Sequence, residues 1–267
     1  MLEISLEKQV ALVTGADRGI GRAIALDLAS AGADIVINHL PDNSAEEVLA
    51  EIRGMGRRAL SFGADVSEEE QVEEMFAKVV EEFGSLDILV NNAGIQMDSP
   101  FLEMSLEQWQ GVLNVNLTGA FLCAREAARE FCRHGVIAER SKAAGKIIFI
   151  SSVHQAIPWA GHANYAAAKG GMNLLMQTLA QELAPHKIRV NSIGPGAVKT
   201  EINREAWQTE GAARKLCELI PYGRIGETKD IGQIAAWLAS DAADYITGTT
   251  IFADGGMLLY PGFRTGG

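Results

Sequence analysis

Tyr165 and Lys169 stand four residues apart in a stretch predicted to be helical over 164–184, so the phenol and the amine share one face. Such a pair suits proton transfer. A tyrosine ordinarily ionises near pH 10, and lowering that by about three units takes about 4 kcal/mol of preference for the phenolate. A neighbouring ammonium in a partly desolvated cleft contributes to that preference. Ser152 closes the preceding predicted strand and emerges at the same edge of the sheet. Its hydroxyl can hold a substrate oxygen and stabilise charge developing there. Asn116 interrupts an apolar stretch, 115–121, of another predicted helix, where asparagine has poor propensity. It is either part of a solvated face or a kink holding a water that links Lys169 to solvent as a proton relay. As a set, Ser152, Tyr165, Lys169 and Asn116 suit removal of a hydroxyl proton while a hydride leaves the same carbon.

A hydride needs an acceptor, and a second group of residues suggests one. After the first predicted strand comes Thr14-Gly15-Ala16-Asp17-Arg18-Gly19-Ile20-Gly21. Glycines at such a strand-to-helix turn let the backbone bend tightly and approach a pyrophosphate, and the helix that follows offers its positive end. Gly15, Arg18, Gly19, Ile20 and Gly21 are therefore candidate dinucleotide ligands. Asn38 ends the second strand, where an acid would bind ribose hydroxyls and repel a 2′-phosphate. With no acid there, and with Arg18 able to pair with a 2′-phosphate, the expectation is that NAD and NADP both work. Asp65-Val66 follow the third strand, where Asp65 could accept from an adenine amine or could belong to a helix cap. Asn91-Asn92-Ala93-Gly94 follow the fourth, either as a turn or as room for a ribose.

These positions make sense only if strands and helices alternate. Apolar runs predict strands over 10–13, 34–38, 58–64, 86–90, 145–150, 188–193 and 249–253. Helical periodicity falls between them over 22–31, 44–55 (with Ser44 as its cap), 68–83, 106–134, 164–184 and 229–240. The predicted class is α/β, a doubly wound, seven-stranded parallel sheet with helices on both faces, in a single domain spanning 1–267. Ligands of such sheets bind beyond the carboxyl ends of the strands. The least regular segment, 194–219, follows a strand end and is read as a lid.

Composition narrows the partners. The 267 residues carry a net charge of −11, which disfavours nucleic acid and anionic membranes. The N-terminus lacks a signal peptide's basic head and apolar core, so a cytoplasmic location is expected. Three cysteines without CxxC spacing predict neither a disulfide framework nor a metal site.

Thr14-Gly15-x-x-x-Gly19-Ile20-Gly21, Asn91-Asn92-Ala93-Gly94, Asn116, Ser152, Tyr165-x-x-x-Lys169 and Pro195-Gly196 together resemble the motifs of the short-chain dehydrogenase/reductase family, from about Val10 to Gly256. The resemblance implies a Rossmann-like fold, NAD or NADP as cofactor, and a homotetramer built on the helices around Asn116 and Tyr165. It makes Tyr165 the base and has Lys169 lower its pKa and hold the nicotinamide ribose. Ser152 positions the substrate, Asn116 completes the relay, and Pro195, Gly196, Val198 and Thr200 cover the nicotinamide.

Longer strings, among them Ser151-Ser152-Val153-His154 and Phe252-Ala-Asp-Gly-Gly-Met257, resemble bacterial glucose 1-dehydrogenases. They imply a small sugar as substrate, oxidised at C1 of an aldose to the lactone, with His154 and Tyr260 as sugar contacts. Gln96 stands where similar enzymes tend to have Glu, and Lys199 and Arg204 add positive charge to the lid. That extends the expectation to another hexose, a deoxy sugar or an acidic sugar whose anionic group meets Lys199 or Arg204. Two other readings compete: a carbonyl or 3-oxoacyl reductase of the same family, and a non-catalytic NAD-binding scaffold. The first would want a basic docking patch on this acidic chain, and the second has no need of the full Ser-Tyr-Lys-Asn set.

Overall fold

The computed structural model describes residues 4–259. Seven parallel strands, β1 (Val10–Val13), β2 (Asp34–His39), β3 (Ala59–Gly63), β4 (Ile88–Asn91), β5 (Gly145–Ile150), β6 (Ile188–Pro195) and β7 (Thr250–Ala253), form one sheet in the order β3-β2-β1-β4-β5-β6-β7. Strands β1, β4, β5 and β6 are buried along their whole length, which is why they read as unbroken apolar runs rather than alternating ones. The doubly wound architecture expected from the sequence is the one observed.

Helices cover both faces. On one lie α1 (Gly19–Ser30), α2 (Glu46–Gly54) and α8 (Thr228–Ala239), packed through Ile24, Leu28, Leu49 and Ile231 onto Ile35, Val90 and Ile148. On the other lie α3 (Glu69–Phe83), α5 (Ala120–His134) and α6 (Ala163–Leu183), with Met75, Phe131 and Met176 against Leu12, Leu89 and Phe149. The order of strand addition reverses between the parallel neighbours β1 and β4, so the connections leaving their carboxyl ends turn to opposite faces and leave the crevice in which such sheets bind ligands.

Three local expectations need correction. The long helix predicted over 106–134 is three pieces: α4 (Leu106–Leu113), a π-helical segment (Asn114–Gly119) and α5. The apolar periodicity runs through all three, so it could not report the widened turn that carries Asn116. The cap of α2 is Ala45, and Ser44 Oγ only accepts a long bond from the Glu46 amide, 3.4 Å. The segment 194–219 is largely ordered into elements: β6 runs on to Pro195, a 3-10 turn spans Glu201–Ala206, and α7 covers Glu210–Cys217 behind a Thr209 cap. The 3-10 turn and α7 are only six and eight residues long, too few for an apolar stripe to stand out in the sequence.

Candidate active site

The carboxyl ends of the strands open into one cleft of about 960 Å³, and almost every candidate residue lines it. At one end the turn after β1 is held by Thr14. Its buried Oγ1 accepts the amides of Asn92 and Ala93 at 2.9 and 3.0 Å. The Asn92 side chain returns two bonds of 2.9 Å to the carbonyls of Thr14 and Gly15. The loops after β1 and β4 are thereby fixed to each other across the switch point. Gly15 and Gly19 have φ of +59° and +58°, in the left-handed region that a side chain would strain. At Gly21 a Cβ would collide with the Gly15 carbonyl and lie 2.5 Å from Asn92 Nδ2. Gly21→Ala is therefore expected to lower stability by about 1–3 kcal/mol and to weaken dinucleotide binding at least about tenfold, read by thermal denaturation and by cofactor titration.

Helix α1 begins at this turn with no side-chain cap at Arg18 and no acid in its first turn. Its first amides are thus left for an anion, which is the fit a pyrophosphate requires. Asp65, Val66, Ala93, Gly94, Pro195, Gly196, Val198 and Thr200 line the same cleft. Thr200 stands over the glycine turn, with its methyl 3.8 Å from where a Gly19 Cβ would be. Asp65 Oδ1 accepts the amide and hydroxyl of Ser67, at 2.9 and 2.7 Å, in a local turn before α3, whose cap is Glu68. Asn38 lines the cleft but is buried, with Oδ1 accepting from Gly15 N at 3.3 Å and Nδ2 donating to Ala64 O at 2.9 Å. Its side chain ties the glycine turn to β2 and β3 and is not free for a ribose.

Tyr165 and Lys169 project from the first two turns of α6 into the middle of the cleft. The phenol lies beside the polar side chains of Ser152 and Gln96. Burial pushes Tyr165 above its ordinary value, these two polar neighbours pull it down, and the Asp98 carboxylate adds a smaller upward push. Lys169 is buried behind the ring, its Nζ 5.6 Å from the ring centre and donating to the Ile150 carbonyl at 2.8 Å. Burial alone lowers this amine to about 8. It remains mostly an ammonium at neutral pH, poised close to its own titration.

Asn116 is fully buried, and its amide makes a closed pair with one residue: Oδ1 accepts from Ile95 N at 2.8 Å and Nδ2 donates to Ile95 O at 2.9 Å. The π-helical turn brings it there, and the pairing fixes the loop that carries Gly94 and Gln96. Of the two expectations for Asn116, a solvated face or a helix kink, its burial in the π-helical turn matches the kink, and its side chain positions that loop.

One residue that sequence reasoning passed over does related work. Asn164, also fully buried, donates to Met97 O at 2.9 Å and Gln108 O at 3.1 Å and accepts the Tyr165 amide at 2.8 Å. It pins the start of α6 to the Gln96 loop. The available signal was an amide residue directly before the tyrosine in an alanine-rich helix.

The substrate end of the cleft is less polar than a sugar site would suggest. Ile157, Pro158, Trp159, Ile202, Leu219 and Leu258 form much of its wall. His154 lines it too, stacked on Trp159 with ring centres 4.3 Å apart and with Nδ1 held by Ile157 O at 3.1 Å. Lys199 does not line the cleft, and its Nζ is bonded to Glu227 Oε1 at 2.6 Å. Arg204 sits on an adjoining outer groove, paired with Glu201 at 3.2 Å. Neither presents the unpaired cation that an acidic sugar would need. Tyr260 lies outside the described residues. Among those residues no cluster of His, Cys, Asp or Glu could hold a metal ion, and no helix is long and apolar enough to cross a membrane.

Comparison with known proteins agrees with this geometry. A family model described as enoyl-(acyl carrier protein) reductase matches residues 15–258. The chain is 44% identical over 262 residues to 3beta-hydroxysteroid dehydrogenase 1 of Eggerthella lenta, covering 98% of each chain. It is 40% identical over 258 residues to glucose 1-dehydrogenase 2 of Bacillus subtilis, covering 96% of this chain and 97% of that one. Among solved structures, a gluconate 5-dehydrogenase from Burkholderia cenocepacia in complex with NADP and tartrate superposes with a TM-score of 0.88 at 36% identity, covering 96% of this chain and 97% of the other.

Proposed function

The chain belongs to the short-chain dehydrogenase/reductase family of oxidoreductases, and from that premise we propose that it uses NAD or NADP to interconvert a secondary alcohol and a carbonyl on a largely apolar substrate. The observation that carries this reading is the Tyr165 phenol, set beside Ser152 and Gln96 in a cleft with largely apolar walls and with the buried Lys169 ammonium behind it.

The roles follow from that arrangement. Ser152 and Gln96 hold the substrate oxygen beside Tyr165. The phenolate takes the hydroxyl proton as the carbon–oxygen double bond forms, and the hydride leaves from the same carbon. Bound oxidised nicotinamide supplies the hydride acceptor. Lys169 stabilises the phenolate through its charge, and its own depressed pKa keeps it ready to pass a proton on. Asn116 and Asn164 act as positioning residues for the Gln96 loop and for α6. The amides at the start of α1, with Gly94, Pro195, Gly196, Val198 and Thr200, would hold the dinucleotide. The segment 194–219, which carries α7 and contributes Ile202, Leu216 and Leu219 to the wall, serves as the lid of a one-domain enzyme.

Apolar walls favour a hydrophobic ring alcohol. A hexose carries several further hydroxyls, each of which loses water on entry and needs a replacement partner. Once Ser152 and Gln96 attend to the reacting oxygen, the polar side chains left at this wall are His154, Glu201 and Asn203, and each is already engaged, by Ile157 O, by Arg204, and by Thr200 N and Val198 O. The identity to a hydroxysteroid dehydrogenase supports the same choice. The second reading is oxidation of an aldose at C1, with Gln96, His154 and Tyr260 as its contacts; the identity to a glucose 1-dehydrogenase supports it.

A panel of 3-hydroxysteroids, simple cyclic alcohols and aldoses with NAD and NADP separates the two by appearance of reduced nicotinamide. A kcat/KM at least about a hundredfold higher for the steroids or cyclic alcohols is expected, on the scale of a few kcal/mol of apolar burial. Preference for an aldose would instead establish the second reading. A homotetramer in the cytoplasm completes the proposal. Phe121 on α5 and Leu174 on α6 stand 42% and 65% exposed, apolar surface of the kind that association buries.

A further inference from the structure

The end of β2 is where dinucleotide-binding sheets ordinarily place the acid that selects NAD, and here it has none to offer. Asn38 is consumed by the glycine turn, as described above. His39 Nδ1 is bonded to the neighbouring Leu40 carbonyl at 2.8 Å, and Leu40 itself is apolar and half exposed. Charge at this corner of the cleft comes instead from the glycine turn. Asp17 and Arg18 both line the cleft there, together with Leu40 and Asn43 from the stretch after β2.

The two charges are held differently. The Asp17 side chain is only 11% exposed, and its Oδ2 accepts from Asn43 Nδ2 at 3.0 Å, which locks the carboxylate against the β2–α2 connection. The Arg18 side chain is 66% exposed and meets Asp17 only at 3.9 Å, so it is free to swing. A fixed acid at this place can accept from ribose hydroxyls and repels a 2′-phosphate, whereas a mobile guanidinium can turn to meet that phosphate.

Building on the nicotinamide-dependent reading of this site, we infer that Asp17 is the residue that sets the balance between NAD and NADP, taking over from the glycine turn the role that the end of β2 does not fill. Asp17 and Arg18 then form an opposed pair. The acid favours NAD and restrains the attraction of its neighbour for NADP, so both cofactors bind, with NAD preferred.

Fluorescence titration of NADH and NADPH with purified wild-type protein, Asp17→Asn, Asp17→Ser and Arg18→Ala tests this by binding alone. Asp17→Asn removes the charge but keeps an oxygen for Asn43, and Asp17→Ser guards against an effect peculiar to that amide. Both are expected to tighten NADPH binding about tenfold while NADH changes by less than about threefold, and Arg18→Ala is expected to weaken NADPH about tenfold. If wild-type protein binds both dinucleotides but the Asp17 variants shift them equally, or leave NADPH unchanged, the inference falls and the proposed function stands. If wild-type protein binds neither, the proposed function falls and takes the inference with it.

Discussion

Tyr165→Phe is expected to lower kcat about a thousandfold, in both the oxidation and the reduction direction, while leaving dinucleotide binding and thermal stability close to wild type. The phenol oxygen is the only atom removed, and it is the atom that faces Ser152 and Gln96 where the proposed substrate oxygen sits. General base catalysis contributes about 10²–10⁴ in rate, which sets the scale. The aromatic ring remains, so its edge contact with His154 at 6.5 Å and its place beside Lys169 persist. A purely structural role for Tyr165 would move melting temperature and leave turnover largely intact, the opposite pattern.

Lys169→Met is expected to separate activity from stability. Turnover should fall about a hundredfold or more, because the phenolate loses the ammonium that favours it. Stability should rise. The amine sits at about 8 in the folded protein against an ordinary 10.5, so the unfolded chain binds more protons between those values. Stability therefore increases with pH across that window, and below it the fold carries the full penalty of a buried charge. At 1.36 kcal/mol per unit, the penalty at neutral pH is about 3 kcal/mol, less whatever the lost bond to the Ile150 carbonyl contributes. Chemical denaturation should show Lys169→Met more stable by about 1–3 kcal/mol at pH 7, with the advantage shrinking above about pH 8 and lost by about pH 10.5. A variant less stable than wild type at pH 7 would mean that Lys169 is held by favourable interactions and is not strained by burial.

The same pair shows what could be read from the chain and what could not. The four strands β1, β4, β5 and β6 were legible because they are buried on both faces, and burial writes itself as unbroken apolar runs; β2, β3 and β7, less buried, followed from the strand-helix alternation. Order along the chain then placed Gly15, Asn92, Ser152 and Pro195 at the same end of the sheet, so the candidate cleft followed from topology. Side-chain engagement did not follow. Position at a strand end suggested Asn38 for a ligand, yet its side chain is held by Gly15 and Ala64, and nothing in the sequence shows that Ser67 binds Asp65 Oδ1. Lys199 suggested a contact for an anion but pairs with Glu227 across 28 residues of sequence. The widened turn at Asn114–Gly119 keeps its helical apolar pattern, so only its hydrogen bonding distinguishes it. Substrate preference was least accessible, because the walls come from loops after several different strands and from the short elements of 194–219.

If Tyr165 works as a phenolate base, its ionisation can be observed directly. The chain contains four tyrosines, so an ultraviolet difference titration of wild-type protein against Tyr165→Phe isolates one phenol in four. Saturated with oxidised cofactor, wild-type protein should show one tyrosine ionising well below 10 that Tyr165→Phe lacks, and without cofactor that tyrosine should ionise above 10, where burial holds it. A low-pH ionisation that survives in Tyr165→Phe, or none below 10 with the cofactor bound, would contradict the account.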